Sequence, residues 1–271
     1  KMKPSGRFIA ILLLALAVAP VRAEVLVLVH GYMGSAASWE NSGVNAALEA
    51  NGWQRAGVLA AAQLFPGPGY RGDGNKAYAV ELPSLAPMMV QADYLQGMLQ
   101  QIHALHPDDD IIVAAHSAGG VVARIVLVRG GAPDVRALIA IATPHLGTGR
   151  AIEALDATDD GGPVGWFKDM FGGGLYHSVK RSRGALLDLT PEYPGNLLFW
   201  LNRQPQPEID YVSIVRSGPV GMGDEVVPVF SQDMNNVQAL SGRSRTLAVA
   251  SGHELNPLDG AALVQVLSGM L

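Results

Sequence analysis

Residues 110–120 read Asp-Ile-Ile-Val-Ala-Ala-His-Ser-Ala-Gly-Gly. Asp110 to Ala115 is a short apolar run, and it reads as a strand buried on both faces, as in a parallel sheet. Gly119 to Arg129 reads as a helix. Where a strand turns sharply into a helix, the two segments approach closely and the corner residue is forced into a strained backbone conformation. Small neighbours are therefore required there. The corner residue here is Ser117. Such a turn lifts the hydroxyl above the sheet, and the helix N-terminus behind it offers N–H groups and a positive dipole end.

Glu24–Val29, Val135–Ala142, Ile209–Val215 and Arg245–Ala250 are further short runs rich in Val, Leu and Ile, and each reads as a buried strand. Val58–Leu64 reads as one more, closed by the Pro/Gly punctuation that follows it. Asn45–Asn51, Ala86–His106 and a C-terminal stretch from about Gly260 read as helices; in the second, Met89, Leu95, Met98, Leu99, Ile102 and Leu105 recur at helical spacing. Strands alternating with helices predict an α/β fold with a mostly parallel sheet covered on both faces. Ligands in such sheets sit at the carboxyl ends of the strands.

Composition narrows the function. Apolar residues make up 49% of the chain and charged residues 16%, which suits a packed domain rather than a disordered one. The formal net charge of -5 leaves no basic excess for a phosphate backbone, so nucleic acid is not an expected partner. With no cysteine, disulfides, thiolate metal sites and a Cys nucleophile are excluded. Lys1, Lys3 and Arg7, the apolar run Phe8–Ala19 and the small-x-small end Val21-Arg22-Ala23 have the layout of a secretory signal peptide over residues 1–23. The expected location is therefore the periplasm or the medium, with residues 24–271 as a single domain. Residues 146–207 differ in character, with Gly172-Gly173-Gly174 and several aromatics, and read as an insertion over the site.

Ala115-His116-Ser117-Ala118-Gly119 resembles the nucleophile elbow of the α/β-hydrolase superfamily, with alanine at the first of its two glycines. This Ala-His-Ser-x-Gly form resembles bacterial triacylglycerol lipases and esterases. Further segments are similar to those of the same family. His30-Gly31-Tyr32-Met33-Gly34 resembles its oxyanion loop, Thr143-Pro144-His145-Leu146-Gly147 its Thr-Pro-His loop, and Asp224-Glu225-Val226-Val227-Pro228 its acid loop. Residues 185–202 resemble the family's Leu-x-Pro segment, which precedes a helix ending in Leu-Asn.

The resemblance implies a Ser-Asp-His triad in that chain order. Ser117 is the implied nucleophile and His253, just past the last strand, the implied base. Asp224 is the implied acid, with Glu225 its adjacent rival and Asp210 and Asp233 weaker candidates. The N–H groups of Tyr32 and Ala118 are the implied oxyanion donors. His30, His116 and His145 are expected around the substrate: His30 as part of the oxyanion loop or as a rival base, and His145 as a pocket wall. His177 reads as a surface side chain.

The implied reaction is hydrolysis of a carboxylic ester through an acyl-enzyme, with no cofactor. The expected partner is a small ester or lipid, with transient contact to a lipid interface, and the chain is expected to act as a monomer. Some related lipases hold a calcium ion near the histidine loop. Asn256 and Asp259 lie near His253, but Glu254 stands where that family has an aspartate, so no metal is expected. An acyltransferase would use the same residues. An amidase and a non-catalytic binding module are the other readings. Trp166, Phe167, Phe171 and Leu197–Trp200 are candidates for an acyl pocket, a lid or insertion core.

Overall fold

The computed structural model describes residues 23–61, 63–132, 134–159, 181–218 and 221–270. The expected signal peptide, apart from Ala23, lies outside these residues. So does the middle of the expected insertion, with Trp166, Phe167, Phe171 and His177.

Among the described residues eight strands form one sheet: β1 Glu24–Val29, β2 Gln54–Ala60, β3 Gln63–Pro66, β4 Lys76–Glu81, β5 Asp110–His116, β6 Val135–Ile141, β7 Asp210–Arg216 and β8 Ser244–Val249. Their order across the sheet is β3-β2-β4-β1-β5-β6-β7-β8. Every pairing is parallel except that of β2 with β3 at the edge. The helices are α1 Ser38–Asn41, α2 Val44–Ala50, α3 Met88–Leu105, α4 Ala118–Val128, α5 Gly149–Asp159, α6 Arg183–Asp188, α7 Leu197–Leu201, α8 Val229–Gln232 and α9 Pro257–Ser268.

The sheet is covered on both faces, as the unbroken apolar runs of β1 and β5 require. On one face Val25, Val27, Ile111 and Val113 pack with Leu95, Leu99, Val121 and Ile125 of α3 and α4. On the other, Leu26, Leu28, Ile112 and Ile139 pack with Trp39, Leu48, Leu263 and Leu267 of α1, α2 and α9. Packing, not propensity, holds α4. Its Gly119, Gly120 and β-branched residues each cost up to about 1 kcal/mol relative to alanine. Val121, Val122, Ile125 and Val126 are fully buried, and each contributes about 1.5–3 kcal/mol.

Two readings of the strands change. Val58–Leu64 is not one strand: β2 ends at Ala60, the chain turns at Ala61 (φ 53°), and β3 returns antiparallel from Gln63. Lys76–Glu81, passed over in the sequence, is a strand between β2 and β1. Lys76 is buried there and ion-paired with Asp109, so the charged end that argues against a core strand is neutralised by the loop before β5.

Candidate active site

Ser117 sits between β5 and α4 with φ 50° and ψ -127°. A non-glycine residue in that region is strained, and the surrounding packing maintains it. The Ser117 N–H donates to the Ile141 carbonyl of β6 at 2.8 Å. At Gly119 a Cβ would lie 2.4 Å from the His30 carbonyl oxygen, so only glycine lets α4 approach the end of β1 this closely. At Gly31 a Cβ would lie 2.9 Å from the Cβ of Ser117, so the loop after β1 is pressed against the serine itself.

Three loops at the carboxyl edge of the sheet bring Ser117, His253 and Asp224 together. The His253 Nε2 lies 2.9 Å from the Ser117 Oγ, and its Nδ1 lies 3.0 Å from the Asp224 Oδ2. An ionised Asp224 requires a proton on Nδ1, which leaves Nε2 to accept from the serine hydroxyl. Asp224 Oδ1 accepts from the N–H groups of Val226 and Val227 at 2.8 and 2.6 Å, and Oδ2 also accepts from Gln232 Nε2 at 3.1 Å. Burial alone would raise this carboxyl's pKa. The hydrogen bond and charge of His253, with the two backbone donors, outweigh it and hold the group below the usual carboxylate range.

The backbone of His253 is gripped as well. Its N–H donates to Glu225 Oε1 at 3.0 Å. Its carbonyl accepts from His116 Nε2 at 2.9 Å. Glu225, the rival acid, therefore holds the main chain of the histidine, while Asp224 holds its ring. The sequence carries no signal for either backbone contact, because residues 28 and 137 positions apart meet only through the sheet order. Burial, reinforced by the neighbouring His253, pushes the pKa of His116 down to about 3. His116 is thus a neutral neighbour of His253, with ring centroids 5.2 Å apart. Of the remaining acid candidates, Asp210 opens β7 at the opposite edge, and Asp233 accepts from the Asn235 N–H at a turn.

Ser117, His253, Tyr32 and His116 line a cavity of about 490 Å³. Among the described residues neither the Tyr32 nor the Ala118 N–H has a hydrogen-bond acceptor. The Tyr32 hydroxyl is paired with Ser182 Oγ at 2.6 Å, which ties the loop after β1 to the segment leading into α6.

Two expected substrate contacts are corrected. His30 is 1% exposed and lies behind the cavity wall. Its Nε2 accepts from the Leu82 N–H and its Nδ1 meets the Gly31 carbonyl, both at 3.0 Å, so it braces the loop and is not a base. His145 is fully buried beside Arg124, and burial followed by that charge keeps its pKa well below the usual value. Its neighbour Pro144 reaches the cavity and the imidazole does not. The His145 carbonyl instead accepts from Asn202 Nδ2 at 3.0 Å, which joins the loop after β6 to the end of α7.

Leu197–Trp200 also stand away from the cavity: Leu198 is buried in the core and Trp200 faces outward. Asn256 and Asp259, weighed above as cation ligands, have other partners. They form a capping box on α9, and Asp259 is ion-paired with Arg216, both side chains being fully buried.

The comparisons with known proteins agree with this fold. A family model described as the alpha/beta hydrolase fold matches residues 24–199, from β1 through the elbow and into α7. It ends before Asp224 and His253, so the place of those two residues rests on their contacts. No curated protein sequence matches the chain.

Among solved structures, the product of the Listeria innocua gene lin2722 is similar at 14% identity, with 90% of this chain and 94% of that one covered and a TM-score of 0.60. The mature Bacillus licheniformis lipase BlEst2 is similar at 16% identity, with 93% and 92% covered and a TM-score of 0.58. The RedJ thioesterase of Streptomyces coelicolor is similar at 18% identity, with 92% and 86% covered and a TM-score of 0.55. At these identities the likeness is one of fold. With the family match spanning most of the sheet and a strained serine at its elbow, the chain belongs to the α/β-hydrolase family.

Proposed function

We propose that this chain is a serine hydrolase that cleaves carboxylic esters, of lipase or esterase type, through an acyl-enzyme. The hydrogen-bonded series Asp224–His253–Ser117, opening on the cavity, carries this reading. His253 Nε2 takes the proton of Ser117 Oγ as that oxygen attacks the ester carbonyl carbon. The carbonyl oxygen gains negative charge and is stabilised by the Tyr32 and Ala118 N–H groups. The tetrahedral adduct collapses, the C–O bond to the alcohol breaks, and His253 delivers its proton to the leaving oxygen. Water, deprotonated by His253, then attacks the acyl carbon and frees Ser117. Asp224 stabilises the imidazolium present in both steps. The apolar segment Phe8–Ala19 supports action outside the cytoplasm.

The test compares the protein with Ser117→Ala on p-nitrophenyl esters from acetate to palmitate. The unsubstituted protein is expected to turn over part of the series and the variant to lose kcat by on the order of 10⁶. The chain length of the maximum separates esterase from lipase. Equal rates for the two proteins, or none, would overturn the reading.

A further inference from the structure

His116 has two ring nitrogens, and the fold uses only one of them. Its Nε2 lies 2.9 Å from the His253 carbonyl oxygen. A carbonyl can only accept, so the proton of this neutral ring is on Nε2. Its Nδ1 is therefore an acceptor with a free lone pair. Among the described residues no group donates to Nδ1, and it is not sealed in the core as both ring nitrogens of His145 are.

Its surroundings put this lone pair beside the reacting centre. His116 lines the cavity together with Gly31, Ser117 and His253. A Cβ on Gly31 would lie 3.4 Å from Nδ1 and 2.9 Å from the Ser117 Cβ, so the missing side chain leaves both open on one side. The His116 and His253 rings have centroids 5.2 Å apart, close enough for one water to bond to a nitrogen of each. Because Nε2 ties the His116 ring to the main chain of His253, Nδ1 keeps a set position relative to the base.

The reaction calls for such an acceptor at one step only. In acylation a single proton is in play, and it passes from Ser117 Oγ through His253 to the leaving oxygen. In deacylation the nucleophile is water, which carries two. One goes to His253 Nε2 as the oxygen attacks; the other stays on that oxygen, and an acceptor for it holds the water in line.

Resting on the hydrolase reading above, we propose that His116 Nδ1 accepts a hydrogen bond from the attacking water and positions it to free the acyl-enzyme. The water oxygen bonds to the acyl carbon, and His253 takes one proton and returns it to Ser117 Oγ as the acyl–Oγ bond breaks. The second proton leaves on the carboxylic acid. His116 neither gains nor loses a proton. A small alcohol carries one hydroxyl proton, which His253 takes, so it attacks the same acyl-enzyme without this bond.

The test is the partition of one acyl-enzyme between water and methanol. p-Nitrophenyl butyrate is turned over in buffer containing methanol, and butyric acid and methyl butyrate are measured by gas chromatography. Two variants divide the functions of the ring. In His116→Gln the amide nitrogen reaches the place of Nε2, which keeps the grip on His253 and removes the Nδ1 acceptor. In His116→Asn the shorter side chain sets its amide oxygen near the place of Nδ1 and gives up the grip. His116→Gln is expected to lower the acid-to-ester ratio about tenfold, the worth of one hydrogen bond. His116→Asn is expected to slow both products and leave the ratio in place. Both products arise from one acyl-enzyme, so a folding defect lowers them alike. An unchanged ratio in His116→Gln overturns the proposal while the hydrolase reading stands, since acid is still formed. A ratio that falls equally in both variants traces the effect to the grip on His253 and overturns the assignment to Nδ1. No release of p-nitrophenol by the unsubstituted protein marks failure of the hydrolase reading itself, and of this proposal with it.

Discussion

Asp224 stays ionised in a buried position because Val226, Val227, Gln232 and His253 all donate to it. Its pKa is lower in the folded chain than in an unfolded one, which makes it a source of stability as well as of orientation. A depressed carboxyl contributes stability above the ordinary carboxylate range and loses it as the pH falls through its folded value. Asp224→Asn is therefore expected to melt below the unsubstituted protein at about pH 7, with a smaller gap at about pH 3, below the ordinary carboxylate value. It is also expected to lower kcat by on the order of 10⁴, because the tautomer of His253 is no longer specified. Thermal unfolding at the two pH values and ester turnover check both outcomes. A gap that persists in acid would mean that the lost packing, not the lost charge, dominates. At this scale the meeting of Ser117, Asp224 and His253 was legible, because each follows a strand that the sequence reveals. The grip of Glu225 and His116 on the backbone of His253 was not, since main-chain partners leave no mark on residue type.

The strand–elbow–helix unit shows why glycines in similar-looking helices have opposite effects. Gly97 in α3 is exposed, and a Cβ there meets nothing within 4 Å. A Cβ on Gly119 in α4 would lie 2.4 and 2.9 Å from the His30 and Val29 carbonyl oxygens. Gly97→Ala is expected to stabilise the protein by about 0.5–1 kcal/mol through helix propensity. Gly119→Ala is expected to destabilise it by about 1–3 kcal/mol and to impair turnover, because α4 must move off β1 and take the elbow with it. Urea unfolding of the two variants checks the contrast; equal effects would mean that the elbow is not tightly packed. The elements most readable from sequence were those with long apolar runs, β1, β5 and β6. β4 was missed because Lys76 and Glu81 bound a run holding two alanines and a tyrosine. Its place in the core depends on an ion pair and a hydrogen bond supplied from elsewhere: Lys76 to Asp109, and the Ala36 N–H to Glu81. The Val58–Leu64 stretch looked continuous because apolar residues lie on both sides of the turn at Ala61.

Over the whole molecule, the sheet order brings residues far apart in the chain to one edge. Tyr32 follows β1, Ser117 follows β5, Asp224 follows β7 and His253 follows β8, and all lie at carboxyl ends of parallel strands. That convergence was foreseeable from the alternation of strands and helices, whereas the side chains that wall the cavity were not. Leu186, Leu189 and Ala151 stand there in place of the more conspicuous aromatics of Leu197–Trp200, because α7 packs into the core beneath the loop after β6. The buried pair Arg216–Asp259 ties β7 to α9, and α9 carries the histidine loop at its N-terminus. This assembly is expected to make one serine nucleophilic. The most direct measurement is reaction with a fluorophosphonate, followed by intact-mass and peptide analysis. A single covalent adduct on Ser117, absent from Ser117→Ala, is expected. An unmodified protein, or an adduct on another residue, would contradict it.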